Sequence, residues 1–339
     1  MKNVIIIAEA GVNHNGDLKN AIKLIDIAAK AGADFVKFQT FKAKKLVTNQ
    51  AQKAIYQQEN TLGSNTQLEM LRQLEIPADW YPKLLHRCKE KGIGFLSTGF
   101  DVESIDFLDQ LGQKYFKVPS GEITHKSLLR KIAQKNKPVI ISTGMATIQE
   151  IQAAVAVFLE EGLTKNNITV LHCTTAYPTP LNEVNLTAMK TIEKEVGTDI
   201  GYSDHTLGTS VAIAAVGLGA KIIEKHFTLD KSIPGPDQKS SLEPNELEYM
   251  VKAIREVTQS IEGTAQKTPT PTELENRKVT RKSLFYVGRF EKGQKLKEAD
   301  FIALRPEGAI SPMQIDDFVG KSLKQPVEQY QAVNQKHFI

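Results

Sequence analysis

Short β-branched runs recur along the first three-quarters of this chain, each followed by a polar loop and most by a helix-length amphipathic segment. The runs are Val4–Ala8, Phe35–Phe38, Phe95–Ser97, Tyr115–Val118, Val139–Ser142, Ile168–His172, Ile200–Ser203 and Lys221–Glu224. Helical periodicity marks Leu18–Lys30, Val102–Leu111, Lys126–Gln134, Ile148–Leu159, Val184–Lys194, Thr209–Leu218 and Asn245–Ile261. Asn15-Gly16-Asp17 supplies a turn and an N-cap for the first helix. Eight strands alternating with helices over about 260 residues match a (β/α)8 TIM barrel. A doubly wound open sheet has the same periodicity, so periodicity alone leaves both architectures open.

Two stretches break the rhythm. Lys42 to Glu75, rich in Gln, Lys and Asn, is too long for an ordinary strand-to-helix loop and reads as a lid or irregular rim. Pro77 then opens a helix running through Trp80, Leu84 and Leu85 to Lys91. After Gly263 the composition changes, and Thr268-Pro269-Thr270-Pro271-Thr272 has the signature of a stiff, exposed linker. The expected organisation is a catalytic barrel over 1–262, a linker over 263–280, and a small, mainly β module over 281–339. So small a module is marginal alone, and docking on another surface suits it.

Composition narrows the function. Lys plus Arg number 43 against 39 Asp plus Glu, a formal charge of +4, and the basic residues are scattered. That pattern is not a nucleic-acid footprint, and an acidic small substrate fits it better. The two cysteines, Cys88 and Cys173, imply no disulfide framework. No apolar run reaches membrane-spanning length, and the apolar start meets Glu9 too soon for a signal sequence. The expectation is a soluble, cytoplasmic protein.

In a barrel the C-terminal ends of the strands carry the chemistry. Those positions hold Glu9, Asn13 and His14; Lys37 and Gln39; Lys117, Ser120 and Glu122; Ser142; His172 to Tyr177; Ser203, Asp204 and His205; and Glu224 and His226. A buried lysine is costly without an anion, so Lys37 and Lys117 point to a phosphate or carboxylate. Ser120, Ser142 and Ser203 could complete an anion cradle. His205 and His226 emerge at the same end of adjacent strands, where they read equally as ligands of one metal ion or as hydrogen-bonded core residues. His14 and His172 read as structural, and His86, His125 and His337 as surface residues. Cys173 reads as a small core residue, because no base is implied beside it.

Several strings together resemble the sialic acid (nonulosonic acid) synthase family. They are Glu9-Ala10-Gly11-Val12-Asn13-His14-Asn15-Gly16, Val36-Lys37-Phe38-Gln39-Thr40, Lys117-Val118-Pro119-Ser120-Gly121-Glu122, Ser142-Thr143-Gly144-Met145, His172-Cys173-Thr174-Thr175, Tyr202-Ser203-Asp204-His205-Thr206, Glu224-Lys225-His226-Phe227-Thr228 and Gly235-Pro236-Asp237. Residues 281–339 resemble the antifreeze-like (SAF) domain that follows the barrel in that family. The resemblance implies condensation of phosphoenolpyruvate with an N-acetylated amino sugar. N-acetylmannosamine giving N-acetylneuraminate is the first expectation, and a 2,4-diacetamido-2,4,6-trideoxy sugar giving N,N'-diacetyllegionaminate the second. It assigns phosphoenolpyruvate to Lys37, Lys117, Ser120, Ser142, Thr175 and Ser203, and the sugar to Gln39, Tyr177, Glu224, Asp237 and Arg305. Glu122 is the implied acid/base with Glu9 close by, and His205 and His226 the implied ligands of Mn2+ or Mg2+. Arg305 would reach the partner subunit's site in a domain-swapped homodimer. Thr175 stands where some members carry Asn, and Gly99 where many carry Pro. Pro306-Glu307-Gly308-Ala309 replaces the frequent Pro-Gly-Asn-Gly. A non-catalytic carbohydrate-binding barrel, and a barrel making shorter sugar acids, are the competing readings.

Overall fold

The computed structural model describes residues 4–61 and 66–339. Eight parallel strands form one sheet: β1 (Ile5–Gly11), β2 (Phe35–Thr40), β3 (Gly94–Gly99), β4 (Phe116–Val118), β5 (Val139–Ser142), β6 (Ile168–Cys173), β7 (Asp199–Asp204) and β8 (Ile222–His226). The ladder runs β3-β2-β1-β8-β7-β6-β5-β4, so the first strand pairs with the last. β3 and β4 lie side by side and close the ring. That pairing of β1 with β8 decides for the (β/α)8 barrel over an open sheet.

Strand geometry sends alternate side chains to opposite faces, which here means barrel interior and helix-facing exterior. Ile7, Leu96, Ile140, Leu171 and Ile222 fill the interior as one buried apolar layer. Moving two residues towards each C-terminus, the same face becomes Glu9, Thr98, Ser142, Cys173 and Glu224. The outward positions, among them Val36, Phe38, Val118, Val170 and Ile223, pack against helix residues such as Leu24, Leu84, Ile132, Phe158 and Met250. Each such side chain contributes about 1.5–3 kcal/mol by leaving water, so the outer shell carries the stability. The inner face can then afford charge at the top of the barrel.

Three departures from expectation have local causes. The helix expected from Val184 starts at Ala188, because Leu181–Glu183 forms a 3-10 turn and Asn185 takes a positive φ of 44° that a helix cannot contain. The long Lys42–Glu75 segment contains three short helices, Ala43–Leu46, Ile55–Asn60 and Gln67–Leu74. Its residues 62–65 lie outside the described part. Within the expected linker, Pro271–Thr280 is helical: Thr270 caps it, accepting from the Glu273 backbone, while Pro271 opens the first turn.

The chain divides into two compact units, Met1–Glu262 and Gly263–Ile339. The second has an antiparallel pair, β9 (Ser283–Tyr286) with β10 (Phe301–Leu304), over its own apolar cluster of Leu284, Tyr286, Leu296, Phe301, Phe318 and Leu323. His337, expected at the surface, is buried there with its Nδ1 3.1 Å from the Tyr286 hydroxyl. Among the described residues, no helix is long and apolar enough to cross a membrane.

Candidate active site

The inward residues at the C-terminal mouth of the barrel line one cavity. It collects Glu9, Lys37, Gln39, Lys117, Ser120, Ser142, Thr175, Tyr177, Ser203, His205, Glu224, His226 and Asp237. Every barrel residue to which the resemblance gives a role is therefore there except Glu122. That residue ends the 3-10 turn Ser120–Glu122, and its carboxylate lies 2.6 Å from His125 Nδ1, outside the cavity lining. His125, expected to carry no signal, is thus its partner. Arg305 belongs to the second unit, exposed, just beyond β10.

One half of the cavity is ionic. Register places Glu9 on β1 between Lys37 on β2 and His226 on β8. Lys37 Nζ is 2.8 Å from Glu9 Oε2 and 3.6 Å from Glu224 Oε1, and it donates to Thr98 Oγ1 at 3.0 Å. Lys117 Nζ is 3.4 Å from the same Glu224 oxygen. All four charged groups are buried. Burial raises the Glu9 carboxyl to about 7, with Lys37 pulling it down and Glu224 pushing it up. At Glu224 burial also acts upward, but Lys117 and Lys37 outweigh it and hold the group below the usual range. Burial lowers Lys117, with Glu224 offsetting only part of the effect. Two lysines thus face one carboxylate held ionised and one carboxyl raised to about 7, an arrangement that suits an incoming anion.

Hydroxyls line the same half. Gly144 N donates to Ser120 Oγ at 2.9 Å, and Ser203 Oγ donates to Glu224 Oε1 at 3.4 Å. Ser142 Oγ is buried with no protein partner, so it remains available to a ligand. Gly144 is required by proximity: a Cβ there would stand 2.0 Å from Thr175 Oγ1 and 2.9 Å from Ser120 Oγ. Cys173 corrects an expectation. It is buried, but it lines the cavity with Sγ 3.7 Å from His205 Nδ1, so an imidazole stands beside it, although that nitrogen carries the hydrogen it donates to the Thr174 carbonyl.

The other half is imidazole and aromatic. The His205 and His226 rings are 5.5 Å apart, centroid to centroid. The Tyr177 ring lies 4.1 Å from His205 and stacks on Tyr56 at 5.1 Å. His205 Nδ1 is 2.7 Å from the Thr174 carbonyl. His226 Nδ1 has no protein hydrogen-bond partner, the nearest carboxylate being Asp237 Oδ2 at 3.8 Å. Burial, with His205 and Lys37 nearby, pushes His226 well below the ordinary imidazole range and keeps it neutral, the form that binds a metal. Among the described residues no cluster of three His, Cys, Asp or Glu side chains is gathered to hold an ion. Two imidazoles, one with a free buried nitrogen, and a nearby carboxylate nonetheless fit a divalent cation whose other positions go to water or substrate.

Other residues follow their expectations or were missed. His14 accepts from Gly16 N through Nδ1, and His172 Nε2 is 2.8 Å from the Val184 carbonyl, both structural bonds. Tyr56 and Gln57 reach the cavity from the long β2–β3 segment, whose composition carried no strand-end signal. Lys225 and Asp204 form a fully buried pair at 2.8 Å. Their alternation with Glu224, His226 and Ser203 was the available clue.

Residues 24–267 match the NeuB family. An N,N'-diacetyllegionaminic acid synthase of Campylobacter jejuni is 49% identical, over 95% of this chain and 96% of its own. A Legionella pneumophila protein of the same description is 46% identical over 94% and 90%. The crystal structure of an N-acetylneuraminic acid (sialic acid) synthetase from Leptospira borgpetersenii, in complex with citrate, superimposes with a TM-score of 0.72 at 33% identity, covering 81% of this chain and 90% of that one. With that match spanning most of the barrel, and with relatives of this identity along almost the full length, the chain belongs to the NeuB family of nonulosonic acid synthases.

Proposed function

We propose that this protein condenses phosphoenolpyruvate with a 2,4-diacetamido-2,4,6-trideoxy hexose, releasing phosphate and giving N,N'-diacetyllegionaminate. The observation that carries it is the split cavity: Lys37, Lys117 and the serine hydroxyls on one side, and the His205–His226 pair with Tyr177 and Asp237 on the other. The first half suits a phosphorylated carboxylate and the second a polyhydroxylated aldehyde. N-acetylmannosamine was the first expectation from sequence. Two relatives at 49% and 46% identity that are described as diacetyllegionaminic acid synthases support the second sugar instead.

Chemically, C3 of phosphoenolpyruvate attacks the sugar aldehyde carbon, forming the new C–C bond while the aldehyde oxygen takes a proton. Water adds at C2 and loses a proton, and the tetrahedral centre expels phosphate by C–O cleavage to leave the keto acid. Lys37 and Lys117 hold the phosphate and carboxylate, with Ser120, Ser142, Thr175 and Ser203 donating around them. Glu9, inside the cavity and poised near neutrality, is the group placed to accept the proton from water. Glu122, the other candidate acid/base, is engaged by His125. Gln39, Tyr177, Glu224 and Asp237 orient the sugar. A divalent cation, Mn2+ or Mg2+, held by His205 and His226, supplies polarisation of the aldehyde oxygen when bound. The second unit, as an antifreeze-like domain, lends Arg305 to the partner subunit's sugar in a swapped homodimer.

Phosphate release and product mass, measured with phosphoenolpyruvate and each sugar, test this reading. The expected result is a higher kcat/KM for the diacetamido sugar. Equal or better use of N-acetylmannosamine overturns the sugar assignment. Absence of phosphate with either overturns the condensation and favours a binding-only barrel.

A further inference from the structure

Asp204 and Lys225 are fully buried, yet they face away from the cavity into the packing between the strands and the outer helices. The outward places in register with Lys225 on the next two strands are held by Ala8 and Val36, which pack as ordinary core. The barrel therefore closes without charge at this level. A buried ion pair is moreover no more stabilising than a well-packed apolar pair. Stability alone therefore does not account for the pair.

Its bonds show what it fixes. Asp204 and Lys225 are register partners on β7 and β8. Lys225 Nζ donates to Asp204 Oδ2 at 2.8 Å and to the Thr206 carbonyl. Asp204 Oδ1 accepts from Thr206 N at 2.9 Å. One ammonium thus holds the residues on both sides of His205, while its own chain neighbours are Glu224 and His226. We infer that Asp204 and Lys225 are positioning residues that set the spacing of His205 and His226. The inference rests on the reading of those two histidines as the cation ligands. A side chain such as methionine would fill the volume but would leave the Asp204–Thr206 turn, closed by its own hydrogen bond, untied from β8, letting the His205 backbone relax away from that strand.

The test uses the full-length protein with Mn2+ as the probe. Mn2+ affinity is read from the electron paramagnetic resonance signal of the free ion, and phosphoenolpyruvate affinity by calorimetry without metal. Asp204→Asn, Lys225→Met and the double variant are compared with wild type and with His205→Ala. The double variant carries no uncompensated buried charge, so it keeps the fold even if a single variant does not. The expected result is Mn2+ binding weakened about 10- to 100-fold in the folded variants, including the double one, as for loss of an outer support of a metal ligand. Phosphoenolpyruvate affinity stays within twofold. Wild-type Mn2+ affinity in the folded double variant overturns the inference. Failure of wild type to bind Mn2+, or binding indifferent to His205→Ala, overturns the ligand reading itself and the inference with it.

Discussion

Substituting Glu9→Gln should make the barrel more stable at alkaline pH than at acid pH, relative to wild type. Burial holds the Glu9 carboxyl at about 7 against an ordinary 4.5. The folded state therefore retains a proton that the unfolded chain gives up, and the stability this confers is fully present below pH 4.5 and lost as pH rises through 7. Once Glu9 is ionised, the loss is about 3 kcal/mol, the free-energy equivalent of that displacement. Integrated between pH 5 and pH 8, the change is about 2.5 kcal/mol. Glutamine keeps the shape and never ionises, so the Glu9 contribution is absent from the variant, and other titrating groups such as Asp237 cancel in the difference from wild type. Urea unfolding followed by the fluorescence of the single tryptophan, Trp80, reports on the barrel unit. The stability difference, Glu9→Gln minus wild type, should rise by about 2.5 kcal/mol from pH 5 to pH 8. A difference constant across the range would refute the reasoning, because it would mean that Lys37 pays the whole cost of burying the charge. The same variant should lose condensation activity, which separates the stability of the cavity from its use.

Gly144→Ala should leave the fold intact but push aside the Ser120 and Thr175 hydroxyls that crowd the missing Cβ. Loss of one hydrogen bond to a charged ligand should raise the KM for phosphoenolpyruvate about 10- to 100-fold in steady-state assays. His14 accepts a proton-bearing amide through Nδ1, and burial lowers it to about 4. Its neutral form therefore stabilises above pH 6.5, and stability is lost by about 3 kcal/mol as pH falls from 6.5 to 4. His14→Asn, which can accept the same amide hydrogen but cannot titrate, should flatten that part of the unfolding profile. Arg305→Ala should raise the KM for the sugar about tenfold or more, with the KM for phosphoenolpyruvate unchanged. An unchanged sugar KM removes the arginine from the site.

Much of the site was legible in the sequence because a strand end is a local object. Lys37, Lys117, Ser142, Ser203, Glu224 and His226 each close a short apolar run, and in a closed barrel those ends meet by construction. Tyr56 and Gln57 were not legible, because they come from a segment with no strand pattern and reach the cavity only through the folding of three short helices. Glu122 shows the opposite failure. Its position beside Ser120 suggested a cavity residue, but a 3-10 turn rotates it onto His125.

The sequence by itself determined the strand and helix rhythm and the residue types at the barrel mouth, since these depend on periodicity and chain order. Only the tertiary structure set the three carboxyls of the strand ends apart. Glu9, Glu122 and Glu224 are chemically alike along the chain. They differ because one is buried beside a single close lysine, one is engaged by a partly exposed histidine, and one stands between two lysines, and those distances exist only once the eight strands have closed.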